Sequence, residues 1–167
     1  MLHGVGIAEP GLVSDAVACY NRHFRQIVSN DKVARLFPTV VDTLRALRKN
    51  SFRLALATNE IREILDHLVA ALNIDSLFDA SVCTAEFDDP NPRLLNEFGG
   101  NAQDTLVVGD SVFDIKMGKA AGCMTCAVSY GVHSETKLRR QQPDWLIDDF
   151  SQLLEIEPVS AAFEQPG

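Results

Sequence analysis

The sequence predicts an α/β protein with a doubly wound parallel sheet. Short apolar stretches alternate with amphipathic stretches over most of the 167 residues. The apolar stretches are nearly continuous, which is typical of parallel strands that are covered on both faces. The stretches between them have periods of three and four residues and supply the covering helices. Such sheets bind ligands at the carboxyl ends of their strands, so function is expected there.

Composition and charge indicate one acidic globular domain. Hydrophobic residues make up 46% and charged residues 23% of the chain, which is enough for one domain with a real core. The 15 Lys and Arg against 23 Asp and Glu give a formal net charge of −8. No basic tract offsets this charge, so we expect no nucleic-acid and no membrane partner. The first residues lack a basic start and an apolar run, and a cytoplasmic location is the default expectation.

Two helices are predicted before the first strand. Apolar residues in steps of three and four over residues 13–27 are typical of an amphipathic helix. A second helix is predicted over about residues 39–49, where Pro38 precedes it and Asn50 is suited to end it. From residue 50 onward the hydrophobic pattern predicts alternating strands and helices.

Five strands and four helices are predicted in this second part. The strands are RLALAT (53–58), DASVCTA (79–85), TLVVGD (105–110), CMTCAVS (123–129) and DWLIDD (144–149). The helices are residues 61–72, 92–98, 111–122 and 134–142, the last with only one or two turns. The tail from residue 155 contains two prolines and no hydrophobic period, so we expect it to be frayed.

Cys123 and Cys126 form a CxxC pattern, which can indicate redox chemistry or half of a zinc site. The pattern lies in an apolar, β-branched stretch that predicts a strand, in which residues three apart point to opposite faces. No second CxxC and no histidine pair completes a zinc site. We therefore expect two structural cysteines.

Two aspartates follow the predicted strand TLVVGD. Asp110 ends this strand, and Asp114 lies one turn further along the same helix face. Both carboxylates can face one cation, and oxygen ligands without a nearby His or thiolate favour Mg²⁺. The alternative is local: Ser111 followed three residues later by Asp114 resembles a capping box, and the helix dipole stabilises acidic residues in a first turn.

Thr58 and Asn59 end a different strand and open a different helix. Their hydroxyl, amide and nearby backbone N–H groups face the same edge of the predicted sheet and can hold a phosphate. The alternative is that one of them is an N-cap, a position that these residue types often occupy.

The order of these motifs resembles the haloacid dehalogenase (HAD) superfamily of phosphohydrolases, in its phosphoglycolate-phosphatase-like branch. The similar segments lie between about Phe37 and Leu154 and are LFPTVVDTLRALRKNSFRLALATN (36–59), LVVGDSVFDIKMGKAAG (106–122) and AVSYGVHSETKLRRQQPDWLIDDFSQLLE (127–155). The resemblance implies Mg²⁺-dependent hydrolysis of a phosphomonoester, with a small phosphorylated metabolite as ligand.

The resemblance also implies roles for single residues and a division of the chain. Thr58 would bind a phosphoryl oxygen, with Asn59 shaping the turn beside it. Asp110 would bind Mg²⁺, and Asp114 would support the metal or a lysine. Residues 1–36 would be the remnant of a helical cap, residues 37–154 the core without its first strand, and residues 155–167 the frayed tail.

The sequence departs from the family at two catalytic positions. The family nucleophile lies in a DxD motif, and no two aspartates here are separated by a single residue. FDDPNPRLL places Asp89 where the family has lysine, and Lys116, Lys119 or Arg93 are the candidate replacements. We therefore expect weak Mg²⁺ binding and no activity from this chain alone.

The alternative is a non-catalytic ligand-sensing or protein-interaction module derived from such a phosphatase. The substrate is not predicted, because most of the cap that would select it is missing.

The family places the DxD strand between the strands that correspond to RLALAT and TLVVGD. Without it, both strands would have exposed edges, and exposed edges recruit other chains. We therefore expect a homo-oligomer formed through strand edges. The alternatives are direct pairing of the two strands, and insertion of LHGVGIA (2–8) between them.

Overall fold

The computed structural model describes residues 35–83, 100–157 and 159–163. All of these except Arg35 belong to one compact unit, Leu36–Gly167. The helices predicted at residues 13–27 and 92–98, and the candidate residues Asp89 and Arg93, lie outside the described residues. None of the helices in the described part combines the length and the apolar character that a membrane crossing needs.

The described part is an α/β structure in which every strand pairing is parallel. The strands are β1 (Ala55–Thr58), β2 (Ala80–Cys83), β3 (Leu106–Gly109), β4 (Met124–Val128) and β5 (Trp145–Ile147). They form a two-stranded sheet in the order β1-β2 and a three-stranded sheet in the order β3-β4-β5. The predicted fold class is confirmed.

Helices alternate with these strands along the chain. The α-helices are α1 (Val40–Lys49), α2 (Arg62–Ala71), α3 (Val112–Ala120), α4 (Glu135–Arg139) and α5 (Val159–Phe163). Short 3₁₀ helices span Asp75–Leu77, Ala102–Asp104 and Phe150–Leu154. Among the described residues, the helices predicted at 61–72 and 111–122 follow β1 and β3 as α2 and α3.

The core of the three-stranded sheet is built around its central strand, β4. Thr125, Cys126 and Ala127 are fully buried, so this strand is covered on both faces. Cys126 packs in a cluster with Val128, Ile147 and Leu153, and Ala127 packs in another with Ile115 and Leu138. This two-sided burial explains the continuous apolar run in the sequence.

The two cysteines of the CxxC pattern are buried free thiols. Burial raises the pKa of Cys126 to about 12 and also raises the pKa of Cys123. Neither thiol is therefore an activated thiolate, because activation requires a lowered pKa. The expectation of structural cysteines agrees with this environment.

The two ends of helix α1 are bonded to residues that flank strands of the two sheets. At its start, the Thr39 hydroxyl lies 2.9 Å from Asp149 Oδ1, just beyond β5. At its end, Arg48 pairs with Asp79, which also accepts the Leu54 backbone N–H at 2.7 Å. Leu54 and Asp79 directly precede β1 and β2, so α1 connects the two-stranded sheet to the end of the three-stranded one.

The C-terminal tail is more ordered than its sequence predicted. We expected an irregular segment, but residues 159–163 form helix α5, and Val159 is buried. The ring of Phe163 stacks on that of Phe52, with their centroids 6.1 Å apart. The contact joins residues far apart in the chain, which local periodicity does not reveal.

The two sheets are not joined by a backbone ladder within the described residues. β1 and β3 belong to different sheets there, so the direct pairing considered from the sequence is not found. The segment LHGVGIA lies outside the described residues, and its insertion stays a prediction.

Candidate functional site

Asp110 lies directly after β3, at the carboxyl end of the strand, where the sequence predicted a ligand site. Its carboxylate is half-buried, and the Oδ2 oxygen accepts the backbone N–H of Val132 at 2.8 Å. This is the sole hydrogen bond to the carboxylate from residues 35–83, 100–157 and 159–163. Within these residues Oδ1 makes no hydrogen bond, so this oxygen can bind a ligand.

The partner of Asp110 comes from a segment in which the sequence predicted no site residue. Residues 129–133, here called the cover loop, follow β4 and return to the start of α3. The loop begins with Ser129, whose N–H donates to the Ile147 carbonyl oxygen at 2.9 Å. It ends with His133, whose N–H donates to the Asp110 carbonyl oxygen at 3.1 Å.

Gly131 allows the cover loop to approach Asp110 closely. A Cβ atom at this position would lie 2.1 Å from the Asp110 Cβ and from its Oδ2. No side chain fits such a space, so glycine is required here by contact rather than by its backbone angles. The glycine in SYGVH is the signal by which the loop could have been found in the sequence.

Asp114 occupies the capping position that the sequence offered as the alternative to a metal ligand. Its Oδ2 oxygen accepts the Ser111 N–H at 2.9 Å, and its own N–H donates to Ser111 Oγ at 3.3 Å. A Cβ on Gly109 would lie 2.3 Å from the Asp114 Cβ, so the carboxylate is held close to the strand end. One oxygen of Asp114 is thus used in the capping box, and a metal role stays a prediction for this residue.

Thr58 and Asn59 lie at the end of β1, and neither is the N-cap of the following helix. The cap of α2 is Ile61, which makes no side-chain capping bond. Thr58 Oγ1 instead accepts the Glu60 N–H at 3.1 Å, which shapes the turn after the strand. Asn59 is exposed, and Thr58 pairs in register with Cys83 of β2.

The two predicted pairs of site residues therefore follow strands of different sheets in the described part. Thr58 and Asn59 end β1, whereas Asp110 and Asp114 follow β3. Among the described residues, no group of three or more His, Cys, Asp and Glu side chains is placed to hold a metal ion.

The candidate replacement lysines are on the surface of α3. Lys116 and Lys119 are both exposed, which agrees with solvated charges.

Tyr130 of the cover loop lies among acidic groups. Burial, and secondarily negative charge on neighbours that include Asp149 and Asp110, raises the pKa of Tyr130 to about 12. The phenol is therefore protonated at neutral pH. Its ring packs against Phe37 with the centroids 4.7 Å apart.

Exposed apolar side chains lie in and beside the cover loop. Phe113, Val132 and Phe37 have exposed fractions of 61%, 76% and 51%. Phe113 lies against His133, with the ring centroids 6.3 Å apart.

A comparison with known protein families identifies the family of the chain. The sequence profile of the haloacid dehalogenase-like hydrolases matches residues 7–128, which is most of the chain. The chain belongs to this family. The predicted resemblance to the HAD superfamily is thereby confirmed.

The relatives place this HAD protein in the phosphoglycolate-phosphatase-like branch. A phosphoglycolate phosphatase of Haemophilus influenzae is 35% identical over 143 residues, which are 82% of this chain and 63% of the relative. A pyrophosphatase, PpaX, of Halalkalibacterium halodurans is 31% identical over 159 residues, 92% of this chain and 73% of the relative. The chain thus spans less than two thirds of the first of these relatives.

A solved structure supports the same assignment of the HAD fold. The crystal structure of "a predicted phosphoglycolate phosphatase" from Haemophilus somnus superimposes with a TM-score of 0.74 at 30% identity. The match covers 81% of this chain and 62% of that one.

Proposed function

We propose that this HAD-family chain binds Mg²⁺ and a small phosphomonoester at the carboxyl ends of its strands. Asp110 is the carboxylate ligand of the cation, and Thr58 contacts a phosphoryl oxygen, with Asn59 in the adjoining turn. The observation that carries the proposal is the position of Asp110, with Oδ2 fixed by the loop and Oδ1 without a described partner. The names of the relatives support phosphoglycolate as the first ligand to test.

The donor set suits Mg²⁺, which is a hard cation that binds through one or two carboxylates and keeps several waters. Among the described residues, Asp110 Oδ1 makes no hydrogen bond, and Asp114 has one oxygen outside its capping bond. When bound, the cation would neutralise charge on a phosphoryl group. Since one oxygen of Asp114 is already used, the affinity is expected to be weak.

We expect these 167 residues alone to lack phosphatase activity. They contain no DxD motif, and Asp89 stands where the family has lysine. Removing a nucleophile from a cooperating catalytic set costs on the order of 10⁶ in turnover. Binding at Asp110 and Thr58 does not offset such a loss.

An activity assay tests this expectation. The purified chain is incubated with Mg²⁺ and either p-nitrophenyl phosphate or phosphoglycolate, with Asp110→Asn as the matched control. Turnover indistinguishable from that of Asp110→Asn is the expected result. Turnover of ~1 s⁻¹, the low end for enzymes, that disappears in Asp110→Asn would show that the chain is an active phosphatase.

The second candidate is a non-catalytic ligand-sensing or protein-interaction module. The use of Asp114 in a capping box favours it, because this carboxylate then has a structural role that needs no metal. Calorimetry with phosphoglycolate and Mg²⁺ distinguishes a ligand-sensing module from a protein-interaction module. Binding without turnover that is lost in Thr58→Val and kept in Thr58→Ser indicates ligand sensing. Absence of binding in the wild type contradicts the phosphomonoester site and favours protein interaction.

A further inference from the structure

The cover loop and the start of α3 are joined by three hydrogen bonds that involve two residues on each side. Asp110 accepts two of them, from the Val132 N–H to Oδ2 at 2.8 Å and from the His133 N–H to the carbonyl oxygen at 3.1 Å. The third runs in the opposite direction, from the Val112 N–H to His133 Nδ1 at 3.1 Å.

The third hydrogen bond fixes the tautomer of the His133 ring. A backbone N–H can only donate, so Nδ1 must be the unprotonated nitrogen and the ring proton must lie on Nε2. Val112 is the first residue of α3, so its N–H has no acceptor within the helix. His133 therefore provides the acceptor that this helix end needs and, by the same bond, anchors the end of the cover loop.

The loop cannot shift toward Asp110 without a collision. Gly131 and Asp110 are already in contact, because a Cβ added to Gly131 would lie 2.1 Å from the Asp110 Cβ. With the loop held from one side by His133 and from the other by this contact, the Val132 N–H has a fixed direction. The hydrogen bond from this N–H then fixes the rotation of the Asp110 carboxylate.

We propose that His133 is a positioning residue: by anchoring the cover loop to Val112, it holds the Val132 N–H on Asp110 Oδ2 and turns Oδ1 toward the ligand. The consequence for a cation rests on the proposed function, but the orientation of Asp110 does not. Partners that orient a ligating side chain in this way commonly contribute 10- to 100-fold to metal affinity, so about 10-fold is expected here.

Two substitutions of His133 isolate the acceptor from the ring. In His133→Asn, the side-chain oxygen is attached at the same position as Nδ1 and can accept the Val112 N–H. In His133→Leu, the bulk is similar but the acceptor is absent. The Asn variant is expected to behave like wild type, and the Leu variant to lose the anchor.

The primary readout is NMR on the full chain without any cation. Two-dimensional ¹⁵N spectra give the tautomer of His133, with the proton expected on Nε2. The exchange rate of the Val132 amide should rise about 10-fold in His133→Leu, the scale of one lost hydrogen bond, and stay near the wild-type rate in His133→Asn. A proton on Nδ1, or equal Val132 exchange in all three proteins, would overturn the inference.

Gly131→Ala tests the same geometry independently of His133. The added methyl should displace Asp110 from the Val132 N–H and raise Val132 exchange, while amides of β5 keep their wild-type rates as evidence that the chain is folded. Unchanged Val132 exchange in a folded Gly131→Ala variant would contradict the close contact on which the positioning depends.

A titration with Mn²⁺, followed by broadening of the amide signals near Asp110, measures the consequence for cation binding. About 10-fold weaker binding in His133→Leu, with rescue in His133→Asn, is expected. Equal affinities in the three proteins would contradict the positioning role. If the wild type binds no cation at Asp110, the proposed function fails, and the inference is then decided by Val132 exchange and the His133 tautomer alone.

Discussion

At the residue scale, the pair Asp144 and Thr125 shows how one carboxylate secures the central strand. Thr125 is fully buried in β4, and its N–H and hydroxyl both lie within 2.8 Å of Asp144 Oδ2. Burial by itself raises the pKa of Asp144, but the hydrogen bonds from Thr125 outweigh it, so the pKa lies below its ordinary value. The charged form of Asp144 is thus favoured in the folded protein.

Replacing Asp144 with alanine should lower the free energy of unfolding by about 1–3 kcal/mol at pH 7, because two buried donors lose their acceptor. The folded-state pKa is below the unfolded one. The contribution is therefore complete above the unfolded value of about 3.9 and is lost as the pH falls through the folded value. Urea unfolding at pH 7 and pH 3 measures this difference. The exposed Asp148→Ala is the control, and an equal effect of both variants at pH 7 would contradict the role of Asp144.

The residue scale also marks the limit of sequence reasoning about the site. The capping box of Ser111 and Asp114 was one of two interpretations, and its spacing is visible in four consecutive letters. The bond from Val132 to Asp110 joins residues 22 apart, and no local pattern encodes it. The sequence located the carboxylate but not the loop that holds it.

At the element scale, β1, β3, β4 and β5 begin and end within two residues of their predicted limits, as does the start of β2. Strands buried on both faces leave continuous apolar runs, which turn residues delimit clearly. Helix α5 was missed because Phe163 is fixed by Phe52, a partner more than a hundred residues away. Elements with a local signal were predicted, and the element stabilised by a distant contact was not.

Gly118 sets the distance between helix α3 and the sheet. A Cβ at this position would lie 2.7 Å from Thr125 Cγ2 and 3.0 Å from Val107 Cβ. Gly118→Ala should therefore destabilise the protein by about 1–3 kcal/mol through overpacking, even though alanine favours helices by about 1 kcal/mol. Ala120→Gly, at an exposed position of the same helix, measures the propensity term alone. A stabilising Gly118→Ala would show that α3 moves away from the sheet without loss.

At the scale of the whole molecule, β1 and β3 each have one edge without a strand partner among the described residues. Within residues 35–83, 100–157 and 159–163, β1 pairs with β2 alone and β3 with β4 alone. Edges of this kind pair readily with a second chain. We propose that the chain self-associates through them.

Light scattering over a range of protein concentrations should detect the self-association. Ala57→Lys places a charge on an exposed position of β1 and should reduce it, because charged side chains protect edge strands. Ala70→Lys adds the same charge on helix α2 as a control. A monodisperse monomer that melts cooperatively above about 60 °C would contradict the proposal.

The link between the sheets through α1 has a consequence for the cooperativity of unfolding. Side-chain contacts, among them those of Thr39, Arg48 and Phe52, rather than backbone ladders, connect β1-β2 to the rest of the described structure. A two-stranded sheet is marginally stable by itself. Native-state hydrogen exchange should therefore separate two cooperative units, with β1 and β2 opening at a lower free energy than β4. The protein would then pass through a partly open state in which Asp110 and its loop are still folded while Thr58 is not. The two halves of the proposed ligand site would in that case assemble in sequence. Equal opening free energies for β1 and β4 would exclude such a state.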